Sequence, residues 1–108
     1  MSAAPSLLAE VATEQQRVTA EIRELDLLVE STQVEVNRLR SREDQLKAKV
    51  EQIRANPGSH QREEIFGATD EFSAAMAKRM TMEGQLGALV AKRKLIDRSA
   101  QILNATQR

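Results

Sequence analysis

The chain has 108 residues, enough for one domain, and its 16 basic and 16 acidic side chains cancel to a formal net charge of zero. Cysteine, tryptophan and tyrosine are absent and phenylalanine occurs only as Phe66 and Phe72, which excludes a disulfide framework, a thiolate metal centre and a thick aromatic core. No apolar run reaches the roughly 18–20 residues that span a bilayer, and Met1-Ser2-Ala3-Ala4-Pro5 lacks the basic and apolar regions of a secretory signal, so a cytoplasmic protein without membrane contact is expected.

The charge balance is local as well as global. Residues 1–35 carry seven acids and two bases, and residues 36–62 carry seven bases and three acids. Residues 63–75 then carry four acids and no base, and residues 76–108 seven bases and two acids. Folding back near residues 56–60 sets blocks of opposite sign side by side. It also leaves acid towards the N-terminus and base towards the C-terminus of each helix, which complements the macrodipole.

The first predicted element is a helix over about 6–55, with Pro5 and Ser6 at its start. A heptad count with Leu8 at position a gives Gln15, Ile22, Val29, Val36, Glu43 and Val50 at the following a positions. The d positions are Val11, Val18, Leu25, Thr32, Leu39, Leu46 and Ile53. This sustained apolar seam is the signature of a coiled coil.

Ala55-Asn56-Pro57-Gly58-Ser59 then reads as a turn over 56–59, with Pro57 presetting φ and Gly58 supplying a positive one. Ser59 is placed to cap a second helix over about 60–106 that opens with Glu63 and Glu64. In that helix a runs through Ile65, Phe72, Arg79, Leu86, Arg93 and Ala100, and d through Ala68, Ala75, Met82, Leu89, Ile96 and Leu103. The expected fold is all-α: one domain over 1–108, an antiparallel two-helix coiled-coil hairpin that dimerises into a four-helix bundle.

Register follows from energy. Pairing residues whose numbers sum to about 118 sets Ile53 against Ile65. A tighter register near 111 improves flanking ion pairs such as Arg42 with Glu71 but pushes Val50 against Gln61 and strains the turn. Exposed ion pairs are worth about 0–1 kcal/mol and a buried Val or Ile about 1.5–3 kcal/mol, so the apolar register is expected.

Two sets of residues stand out on this frame. Gln15, Thr32, Glu43, Arg79 and Arg93 put polar groups into the seam, where they snorkel to solvent or specify register and partner. Met80, Gly84, Gly87, Ala88, Ala91 and Leu95, with Ala77, share an outer face of the second helix. Its two mid-helix glycines each cost roughly 0.5–1 kcal/mol against Ala, unless they admit another helix. That face is the expected homodimer surface, or the seat of another protein partner.

Catalytic, cofactor and metal sites are not expected. His60 is the only histidine and lies in the turn, followed by Gln61 and Arg62, where a solvated loop residue is expected. No Ser/His/Asp set or Gly-rich phosphate loop exists, and adjacent acids such as Glu63-Glu64 diverge on a helix. Basic stretches such as Lys92-Arg93-Lys94 lack interleaved aromatics and face acidic blocks, so nucleic acid is not an expected partner.

The second helix carries Glu63-Glu64-Ile65, Ala68, Met82-Glu83-Gly84-Gln85-Leu86, Leu89, Arg93, Leu95-Ile96 and Arg98. This run, with the Glu/Gln/Arg-rich heptad helix before it, resembles the sensory region of DegS-type histidine kinases over roughly residues 8–105. The resemblance implies a cytosolic, dimeric input module of a two-component system that passes conformational change to a kinase core. It stops at that region: no phosphoacceptor histidine segment or ATP-binding domain follows Arg108 in this sequence. The expected function is a non-enzymatic coiled-coil sensory or interaction module. The alternative is a structural adaptor or secretion-type chaperone that binds a partner along the second apolar face.

Overall fold

The computed structural model describes residues 3–106. It is a helical hairpin: α1 spans Ala3–Ala55, a 3-10 turn spans Pro57–Ser59, and α2 spans Arg62–Thr106. Among the described residues there is no strand.

The boundaries follow local chemistry, with three departures from expectation. First, α1 begins at Ala3 rather than near residue 6, so Pro5 and Ser6 fall inside its first turn, where a proline's missing N–H is no loss. It ends at Ala55, as a following X-Pro dictates, because the residue before proline is pushed out of the α region. Asn56 accordingly sits at φ −130°, ψ 62°.

Second, the turn uses no positive φ at Gly58 or anywhere else among the described residues. A 3-10 turn keeps φ negative throughout, and the Ser59 N–H closes it by donating to the Asn56 carbonyl at 3.2 Å. Third, Ser59 does not cap α2. His60 is extended at φ −127°, ψ 144°, and α2 starts at Arg62, its first bond running from the Ile65 N–H to the Gln61 carbonyl at 3.1 Å.

Macrodipole complementarity is present only next to the turn. Arg54 lies in the last turn of α1, and Glu63 and Glu64 lie in the first turn of α2. The first turn of α1 has no acid and the last turn of α2 no base.

The hairpin divides into two compact units: a turn-proximal unit, Thr32–Leu86, and a terminal unit combining Met1–Ser31 with Gly87–Arg108. In the turn-proximal unit the heptad seam is the core. Val36, Leu39, Leu46, Val50, Ile53 and Ala68 are buried, and Val36 is 0% exposed. Val50, Ile53 and Ala68 form one cluster against which Ile65 and Phe72 pack, which agrees with the apolar register. Arg42 still reaches Glu71 at 4.0 Å between two exposed side chains. That flanking pair therefore does not need the tighter register.

In the terminal unit Val18 and Leu25 are buried, and Val11, Ile22, Val29, Leu89, Ile96, Ala100 and Leu103 are partly buried. Leu8, the first a residue, is 64% exposed. From Leu8 onward, the first a or d residue of α1 that is partly buried is Val11.

Candidate interaction surfaces and seam charges

Each unit holds one arginine at an a position, and each arginine is fixed by the same two-part device. In the turn-proximal unit the Arg79 guanidinium donates to both carboxylate oxygens of Glu43 across the seam, with Nη2–Oε1 at 3.1 Å. It also donates to Glu83, four residues on in α2, at 2.9 Å. Glu83 in turn accepts two bonds from Arg40 of α1, at 2.9 and 2.7 Å. Glu43, Arg79, Glu83 and Arg40 thus form an alternating chain of charge across the two helices. Its centre is shielded, the Arg79 and Glu43 side chains being 21% and 14% exposed. The hydrogen bond to Glu43 raises the Arg79 pKa above its ordinary value, and the Arg40 hydrogen bond leads in holding the Glu83 carboxyl below its own.

In the terminal unit Arg93 donates to Asp26 of α1 at 2.7 Å and pairs with Asp97, again four residues on, at 3.2 Å. The Asp26 hydrogen bond is the main cause of a raised Arg93 pKa. Of the two acids flanking Leu25, Asp26 rather than Glu24 makes this contact. Gln15 donates from Nε2 to Asn104 Oδ1 at 3.0 Å, pairing a polar a residue with a polar group of α2. Thr32 lies partly buried at the turn-proximal seam. Among the described residues no buried side-chain nitrogen or oxygen lacks a hydrogen-bond partner.

Sequence reasoning missed Glu83, Arg40 and Asp97. The signal was there for two of them: Arg79-x-x-x-Glu83 and Arg93-x-x-x-Asp97 are i, i+4 pairs on one helix face. They recur two heptads apart.

His60 departs from the solvated loop histidine expected. Its side chain is 24% exposed, and Nδ1 lies 3.1 Å from Glu64 Oε1, four residues on at the start of α2. Beside it, the Arg62 guanidinium lies 5.8 Å from the centre of the exposed Phe66 ring, a cation–π contact. Among the described residues no group of three or more His, Asp or Glu is arranged to hold a metal ion, and no helix is long and apolar enough to cross a membrane.

The outer face expected on α2 is open in both units. Met80 and Gly84 are exposed in the turn-proximal unit, and Gly87, Ala88, Ala91 and Leu95 are exposed in the terminal unit. A Cβ built on either glycine would meet no atom within 4 Å, so neither glycine is required by packing within its own unit.

The terminal unit has a second feature. Two shallow clefts run along one flank of its seam, where the g positions of both helices meet. One is lined by Glu21, Glu24, Leu25, Leu28, Lys92 and Ile96. The other is lined by Glu14, Arg17, Val18, Glu21, Ile96, Ser99, Ile102 and Leu103. Glu21 and Ile96 belong to both, so the clefts are continuous. Arg17 bridges Glu14 and Glu21 along α1, and its hydrogen bond holds the Glu14 carboxyl low.

No protein-family model, no curated protein and no solved structure matches this chain.

Proposed function

We propose that the chain is a non-enzymatic, homodimeric coiled-coil interaction module of the bacterial cytoplasm, serving signal transduction in the manner of the sensory region of DegS-type kinases. The observation that carries the dimer is apolar surface left over once the seam is complete. In the terminal unit alone Leu7, Leu8, Leu27, Leu28, Val90, Leu95 and Ile102 remain between 36% and 68% exposed. Single exposed apolar residues are ordinary, but this many in one small unit mark an interaction surface.

The signalling role is supported by the resemblance along α2 and by seam charges that fix how the helices pair. Polar residues at core positions specify one pairing at a cost in stability, a property useful in a module that passes a defined conformation to its neighbour.

Light scattering at micromolar concentration tests the assembly. A mass of twice 12.0 kDa is expected, and a clean monomer removes the dimer and with it the input-module reading. Fusion to a kinase core through α2 tests the role. Kinase output that responds to mutation of the Arg79 and Arg93 layers supports signalling. Output indifferent to them favours an adaptor that only holds a partner.

A further inference from the structure

Position on the helix separates most of the exposed apolar residues; Leu8, Leu27 and Val90 of the terminal unit stand at a, f and e, off the g flank. In the turn-proximal unit Val34, Phe66 and Met80 occupy f or b positions, pointing away from the seam and its g flank. In the terminal unit Leu7 and Leu28 stand at g, and Leu95 and Ile102 at c. Leu28 and Ile102 line the clefts, and Leu7 and Leu95 stand on the same flank by heptad position. Among the described residues the exposed large apolar residues at g and c therefore all belong to the terminal unit, where Leu28 and Ile102 edge a trough whose floor is Val18, Leu25, Ile96 and Leu103.

Charge identifies the occupant. Over residues 7–31 the terminal part of α1 carries six acids and two bases, and over residues 87–105 its part of α2 carries four bases and one acid. The flank thus has an acidic side and a basic side, with Glu24 and Lys92 on opposite walls of the same cleft. A surface of this kind is complementary to itself under a two-fold axis parallel to the helices, because that operation lays α1 of one copy over α2 of the other. Self-complementarity is the requirement of an isologous interface.

We infer that a second copy of this chain docks on the g flank of the terminal unit. α1 of each copy lies over α2 of the other, antiparallel to it, and Glu24 of each copy faces Lys92 of the second. This rests on the homodimer proposed above and assigns its face and its orientation. The competing arrangement sets the terminal unit of one copy on the turn-proximal unit of the other. There the corresponding cleft is rimmed by Arg38, Arg42 and Lys78 with one acid, Glu71, and its three bases also suit acids. It would leave Leu28, Leu95 and Ile102 facing charge, and apolar burial outweighs exposed ion pairs.

The test is a mixing experiment on the full chain. Glu24→Lys alone and Lys92→Glu alone each place like charges at two symmetry-related sites, and each is expected to weaken dimerisation about tenfold or more in sedimentation equilibrium. An equimolar mixture of the two variants restores opposite charge at both intermolecular sites, while the walls within each chain stay mismatched. Recovery of dimer in the mixture is therefore expected, and intramolecular repair cannot produce it. A wild-type dimer with no loss in the single variants, or with no recovery on mixing, overturns the assigned face and leaves the dimer standing. A monomeric wild type overturns both. Leu28→Glu with Ile102→Glu provides a second reading: dimer lost with helicity retained is expected, against dimer retained in Val34→Glu with Met80→Glu. The reverse pattern moves the interface to the turn-proximal unit.

Discussion

The two units have nearly equal lengths of chain and the same heptad plan, and each holds one seam arginine clamped by a cross-helix acid and an i+4 acid. Their packing differs. Of the buried apolar residues described, six lie in the turn-proximal unit and two in the terminal unit, whereas the large exposed ones divide three to seven. The favourable macrodipole charges also sit at the turn, on Arg54, Glu63 and Glu64. A short connection holds two helices together at little entropic cost, and free helix ends fray. The same pattern of a and d residues thus makes a closed core in one unit and a less complete one in the other.

The largest effect should come from the core. Leu46→Ala, at a buried turn-proximal position, is expected to cost about 2–4 kcal/mol in chemical denaturation, the usual range for deleting a buried leucine side chain. Leu27→Ala, 68% exposed in the terminal unit, should cost less than about 0.5 kcal/mol. Equal losses at the two sites would remove the contrast between the units.

Hydrogen exchange sharpens the same contrast. At dilutions that favour monomer, amides of residues 32–86 should exchange more slowly than those of residues 7–31 and 87–105, since protection follows local burial. Raising the concentration into the dimeric range should protect the terminal amides selectively, because binding stabilises what it binds. Uniform protection at both concentrations would contradict this.

The charged layer allows a finer comparison. Replacing Arg79 alone by Leu strands Glu43 at a shielded position and should lower the melting temperature. Replacing both, Glu43→Leu with Arg79→Leu, should raise it above wild type, as happens when a shielded ion pair gives way to apolar packing. The corresponding change in the terminal unit, Arg93→Leu, should matter less, because Asp26 is largely exposed and water can take over its hydrogen bonds. A larger loss at Arg93 than at Arg79 would reverse the ranking of the two layers.

Smaller still is Gly84→Ala, whose new methyl group meets open space. It should stabilise the chain by roughly 0.5–1 kcal/mol through helix propensity alone. Destabilisation accompanied by loss of dimer would show that the outer face of α2 is covered in the assembly.

The smallest effect is that of pH. Glu83 and Glu14 have carboxyl pKa values lowered in the fold by hydrogen bonds from Arg40 and Arg17. The stabilisation from a lowered carboxyl is present above the ordinary carboxylate range and disappears as pH falls through the lowered value. Melting temperatures should therefore hold steady down to the ordinary carboxylate range and decline only below it. Glu83→Gln should flatten part of that decline. A decline centred near neutrality would overturn the assignment to these carboxylates.

Periodicity and the Pro57-Gly58 pair determined by themselves that this is a two-helix hairpin with a seam at the a and d positions. Apolar spacing fixes the seam, and a single strong break lets the two halves bury it against each other. The a and d positions of α1 from Val11 to Ile53 and of α2 from Ile65 to Leu103 are indeed all buried or partly buried. The charge blocks gave the sense of pairing, and Arg79 and Arg93 were recognisable as polar seam residues because their positions in the repeat are unambiguous. The tertiary structure decided which acids those arginines take. Heptad position sets Glu43 about one turn from Arg79, Glu83 at i+4, and both Glu24 and Asp26 beside Arg93; the reach and rotamer of long side chains then select Asp26 and join Arg40 to Glu83. It also decided that the turn closes as a 3-10 segment without positive φ, because backbone alternatives at Asn56 and Gly58 lie close in energy until the helices dock. Finally, it separated a closed core near the turn from an open flank near the ends. Two stretches with the same pattern of apolar letters differ in burial only when the length and offset of the facing helix are set, and that is a property of the folded pair.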